Sequence, residues 1–75
     1  MESVIVRDPA IMSGEPVFRG TRVPVSTLFD YLEAGHSLDW FLGGFPGVSR
    51  AAALRALEEA KESLLALHLD AHSTR

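Results

Sequence analysis

The chain has no cysteine, no apolar run of membrane-spanning length, no internal repeat and little positive charge. Each absence closes a class of function. Without cysteine there is no disulfide framework and no thiolate metal site. No segment approaches the ~20 consecutive apolar residues that a membrane-crossing helix needs. The N-terminus lacks the basic-then-apolar plan of a signal peptide. A cytoplasmic protein with no membrane partner fits these absences. Seven Lys and Arg against ten Asp and Glu leave a net charge of −3, which argues against simple non-specific binding of nucleic acid. No serine–histidine pairing, phosphate-cradling glycine loop or clustered carboxylates suggest catalysis, so neither enzyme activity nor a cofactor is expected.

What is present is one small domain. Its 75 residues are 47% hydrophobic, too apolar for disorder by composition. They lie near the size at which a lone core is marginal, so a protein partner or a homodimer is expected. Residues 1–23 read as a β-arm with a tight turn, 24–57 as a tri-helical core, and 58–75 as an extension of the last helix with a frayed tail. Charge is uneven along these parts. The first 25 residues balance. The middle carries Arg50 and Arg55 against Asp30, Glu33 and Asp39, while the tail is dominated by Glu58, Glu59, Glu62 and Asp70. Any DNA-facing patch must therefore be local, and two copies would be needed to hold enough phosphates.

The densest backbone signal lies at residues 13–25, Ser-Gly-Glu-Pro-Val-Phe-Arg-Gly-Thr-Arg-Val-Pro-Val. Gly14 and Gly20 can take positive φ, while Pro16 and Pro24 fix φ and extend the residue before each. Val17-Phe18 is a short β-prone run closed by an Arg19–Arg22 turn. It can pair with Val4-Ile5-Val6, in the same chain or in a second copy. Ala10–Ser13 reads as loop or a single helical turn. Pro24 suits the first helical position.

Three helices follow. The first, from Pro24 to Ala34, presents Val25, Leu28, Phe29 and Leu32 on one face and is closed by Gly35. The second is capped by Ser37 and presents Leu38, Phe41, Leu42 and Phe45, with Gly43-Gly44 ending or fraying it. Ser49 caps the third, from Arg50 to at least Leu67. Ala51, Leu54 and Leu57 are expected to complete the core. Ala53, Leu57, Ala60, Leu64, Leu67 and Ala71 alternate at four- and three-residue steps like a coiled-coil seam, whose far end is a candidate contact surface. The fold expected is mainly α: a three-helix, helix-turn-helix bundle of winged-helix or homeodomain-like type, with a short N-terminal β-hairpin or β-arm.

The residues Asp8, Pro9, Gly14, Pro16, Gly20, Thr21, Arg22, Pro24 and Val25, continuing through Gly35, Ser37 and Pro46, resemble the bacterial domain-of-unknown-function family 433. The resemblance covers about residues 4–65. It implies a small, VapB-like helix-turn-helix antitoxin that neutralises a PIN-like ribonuclease toxin and binds the operator of its own operon. One departure stands out. Gly43, Gly44, Arg50 and Ala51 stand where the family usually carries acidic residues.

In that reading Ser49 and Arg50 contact operator DNA, with Arg55 and Arg19 as weaker candidates. Arg50 is unfavourable beside a positive helix end, which either a phosphate or water would offset. Arg55 precedes Glu58 and Glu59 by three and four residues, so an intrahelical ion pair competes with a DNA role. Leu64, Leu65, Leu67 and the acidic tail are candidates for toxin or dimer contact. Trp40 lies off its helix's apolar stripe and either joins an interface or closes the fold. Gly14, Pro16, Gly20, Thr21, Arg22 and Pro24 read as structural. Arg22 is expected to bond turn carbonyls or pair with Asp8. His68 and His72, four residues apart, could face one metal, but no third ligand is evident and no metal site is expected. The rival to an antitoxin is an assembly module with the same fold and no DNA role.

Overall fold

A computed structural model describes residues 3–73, of which Met12 and residues 69–73 are described by their backbone alone. The order of elements is β1 (Ile5–Val6), a 3-10 turn (Met12–Gly14), β2 (Val17–Phe18), α1 (Val25–Glu33), α2 (Leu38–Gly44) and α3 (Arg50–Ser73). The expected mainly helical fold, three helices behind a short antiparallel hairpin, is the one observed.

The hairpin pairs within the chain, with Ile5 opposite Phe18 and Val6 opposite Val17. Two strands of two residues would not persist alone in water. Here β2 is held on both sides, because Val17 also bridges to Pro24. Phe18 donates to the Val23 carbonyl and Val25 donates to that of Pro16, both at 3.0 Å. Gly20, at φ +80°, makes the reversal possible. Thr21 locks it, donating its hydroxyl to the Phe18 carbonyl at 2.8 Å and accepting from the Val23 amide at 3.0 Å.

Two expectations for this stretch need correction. Pro24 is the N-cap of α1, with extended ψ of 140°, and lies one residue outside the helix. Arg22 is exposed and neither bonds the turn nor pairs with Asp8. Asp8 is engaged locally, accepting from the Ala10 amide at 2.9 Å. An arginine does brace the neighbouring 3-10 turn: Arg7 Nε donates to the Gly14 carbonyl at 3.0 Å.

Helix ends follow their sequence signals. Past α1, Gly35 sits at φ +93°, the Gly35 amide donates to Leu32 and the His36 amide to Tyr31, both at 3.0 Å. That is the paired C-terminal closure a left-handed glycine allows. Ser37 accepts from the Trp40 amide, and Ser49 from the Ala52 amide, each at 3.0 Å. Gly43 and Gly44 end α2 as expected, as its last two residues. Both are helical, and the cap is Phe45.

The core is small and aromatic. Phe18, Phe41, Leu28 and Val17 are its largest fully buried side chains, with Val25, Val48, Ala53 and Ala56 around them. Phe41 lies 6.3 Å from Phe18 and 5.0 Å from Phe45, ring centre to ring centre, and Tyr31 meets Phe41 and Phe45 edge-on at 5.6 Å. These spacings fall in the favourable range for aromatic pairs.

The inward face of α3 differs from the one expected. Ala53 and Ala56 are buried and Leu57 packs on the core, whereas Ala51 is exposed and Leu54 is 49% exposed. Large rings on β2 and α2 fill the centre, so the helix closing over them must bring small residues to the contact. The seam reading is nearer the mark. Ala53 is buried, Leu57 and Ala60 are half-buried, and the same line runs on to exposed Leu64 and Leu67. The next position, Ala71, lies outside the described side chains.

Candidate nucleic-acid and partner interface

The turn between α2 and α3 sets where α3 begins. Its Val48 side chain is buried as a plug in the core. A Cβ added at Gly47 would come 3.6 Å from Thr21 Cγ2, so this turn rests against the Gly20-Thr21 turn. The distinctive N-terminal stretch thus props the start of α3 without belonging to it. Ser49 spends its hydroxyl oxygen on capping that helix.

The four candidate DNA contacts do not form one cluster. Arg50 forms an ion pair with Asp39 of α2, both side chains well exposed at 58% and 74%. The partner comes from another helix, so spacing along α3 gives no sign of it. Arg55 pairs with Glu59 at 3.4 Å, as its spacing allowed. At ~100° per residue Arg50 and Arg55 lie ~140° apart around α3, so they flank the helix on opposite sides. The outward face between them carries Ala51, Leu54 and Glu58.

Arg19 sits on the Arg55 side. Its Nε donates to the Ser3 carbonyl at 2.9 Å. The Ser3 hydroxyl donates to both carboxylate oxygens of Glu59 at 3.0 Å. Glu59 therefore joins Arg55 to the N-terminal arm, and Ser3, Val4, Arg19 and Ala52 line a shallow depression there of about 350 Å³. The role of Ser3 and Glu59 as a latch between arm and helix had no signal in the sequence, since they are 56 residues apart.

The candidate contact residues for a protein are exposed. Trp40 is 62% exposed, stacked on His36 at 5.4 Å and 15° between ring planes. It does not close the core. Leu64, Leu65 and Leu67 are exposed at 57%, 52% and 75%. Among the described residues no three His, Asp or Glu are grouped to hold a metal, and no helix is long and apolar enough to cross a membrane. His72, the proposed partner of His68, lies outside the described side chains.

Fold and surface together define a class: a three-helix module, with an N-terminal hairpin, whose long last helix carries arginines near its start and bare leucines towards its end. Sequence comparison then gives the family. The family model described as "Protein of unknown function (DUF433)" matches residues 5–60, and the chain belongs to that family. It is 40% identical over 45 residues to the uncharacterized protein y4eO of Sinorhizobium fredii. That match takes in 60% of this chain and only 20% of the relative's length. The crystal structure of a DUF433 member protein from Anabaena variabilis has the same fold, with a TM-score of 0.72 at 23% identity, over 92% of this chain and 68% of that one.

Proposed function

We propose that the chain is a non-catalytic, VapB-like antitoxin of a type II toxin–antitoxin pair, cytoplasmic and homodimeric, which neutralises a PIN-like ribonuclease and binds its own operator. The observation that carries the reading is α3. One helix presents arginines near a helix-turn-helix turn and exposed leucines beyond the reach of its own core. Two unlike surfaces on a single rod suit a protein that joins DNA to a protein partner.

The Arg50–Asp39 pair does not forbid phosphate contact. An ion pair this exposed is worth about 0–1 kcal/mol, and a phosphate oxygen replaces the carboxylate without leaving either charge buried. Binding should depend steeply on salt and need two copies, because each protomer offers few cations.

The rival reading, an assembly module without a DNA role, has a specific observation behind it. Arg50 and Arg55 are both matched by carboxylates of the same chain, and the net charge is negative. The test is a salt titration of the purified protein on its own upstream DNA. The antitoxin reading expects Arg50→Ala to weaken binding and lower the log–log salt slope by about one. It also expects Asp39→Asn, which releases Arg50, to tighten binding. Equal affinity for random DNA of the same length at every salt would favour the assembly module. A PIN-like gene immediately alongside is the cheapest supporting observation.

A further inference from the structure

A cavity of about 420 Å³ opens on α2, lined by Tyr31, Asp39, Trp40, Gly43 and Gly44. We infer that it is a docking site for an arginine side chain of a partner protein, with the guanidinium laid against the Trp40 indole and bonded to the Asp39 carboxylate. The inference does not rest on operator binding or on the toxin being a nuclease.

Three observations carry it. First, the glycines are not required by the fold. Neither has positive φ, and a Cβ added at either would meet nothing within 4 Å. Two helical glycines bordering an open cavity keep space for something outside the chain. Second, the aromatic wall is exposed yet positioned. Trp40 stacks on His36, which in turn meets Tyr31 at 5.5 Å, so the indole is held while most of it faces solvent. An exposed indole is the best natural platform for a cation.

Third, charge complementarity selects the occupant. Residues 23–49 contain Asp30, Glu33 and Asp39 and no lysine or arginine. Among the described lining residues Asp39 is the one charged side chain. It already accepts a guanidinium at the cavity's edge, that of Arg50, and this exposed pair is readily exchanged. Arginine fits better than lysine because its plane can stack on the indole while its N–H groups bond the carboxylate.

Trp40 is the chain's one tryptophan, so its fluorescence reports on the site alone. The full chain is titrated with the blocked peptides acetyl-Gly-Arg-Gly-amide, acetyl-Gly-Lys-Gly-amide and acetyl-Gly-Leu-Gly-amide. The arginine peptide is expected to give a saturable change in emission, the lysine peptide a weaker one and the leucine peptide none. Asp39→Asn should weaken the arginine response about fivefold, the scale of one exposed charge pair. Gly43→Ala with Gly44→Ala should weaken it as well while raising the denaturation midpoint, which separates filling the cavity from damaging the fold. Identical responses to the arginine and leucine peptides would overturn the assignment, as would a response that the alanines leave unchanged. Emission that varies with protein concentration alone, and ceases to do so in Arg22→Ala, would assign the cavity to a second copy and overturn it too.

Discussion

Single residues sort by whether their role is set by their own backbone or by distant neighbours. Gly35 stands at φ +93°, where a Cβ is strained, whereas Gly43 is helical with open space around it. Alanine should thus have opposite effects at the two sites. Gly35→Ala is expected to destabilise by about 1–2 kcal/mol and Gly43→Ala to stabilise by up to about 1 kcal/mol, read from urea denaturation. Thr21 and Arg22 make the same contrast within one turn. Thr21→Val removes a donor and an acceptor from two turn bonds and should lose about 1–3 kcal/mol in the same measurement. Arg22→Ala, at an exposed position, should change stability by no more than about 0.5 kcal/mol. The positive-φ glycines and Thr21 were legible because turn chemistry is local. Arg22 was misread because the Phe18 carbonyl of its turn is already served by the Thr21 hydroxyl and amide.

Helices show where local signals stop. Their ends were readable to within a residue or two, since Ser37, Ser49 and Gly35 act on amides and carbonyls beside them. Ser49→Ala should lower stability by about 1 kcal/mol through loss of the Ala52 bond. The inward face of α3 was not readable in the same way. Its start, Arg-Ala-Ala-Ala-Leu-Arg-Ala-Leu, offers two apolar stripes, and hydrophobic spacing weights a leucine above an alanine. The packed structure inverts that weighting: Ala53 and Ala56 are fully buried in one cluster with Phe18 and Phe41. Ala53→Leu should therefore overpack the core and destabilise by about 1–3 kcal/mol, while Leu54→Gln should be nearly neutral. The reverse ranking in thermal unfolding would restore the Ala51, Leu54 and Leu57 face. The ion pair of Arg50 was illegible for a related reason: Asp39 reaches it from α2, and spacing along α3 cannot see across a turn.

Taken whole, the molecule measures 44 × 30 × 22 Å, and its 24-residue last helix is alone ~36 Å long. The arm, α1 and α2 pack on the first part of that helix, with Ala60 the last half-buried position described along it. Beyond it the seam continues through Leu64 and Leu67, both exposed among the described residues. Leu65 stands ~100° away from Leu64 around the helix and is off that line. If the seam is where two copies meet, the leucines are unequal despite similar exposure. Leu64→Gln with Leu67→Gln should convert dimer to monomer in sedimentation equilibrium, and Leu65→Gln should leave the dimer intact. Thermal unfolding supplies an independent readout, since association with a folded partner raises the midpoint as protein concentration rises. That concentration dependence should be present in the parent chain and in Leu65→Gln, and absent from the double variant. A parent chain that is monomeric at every concentration would instead reserve the same leucines for an unlike partner.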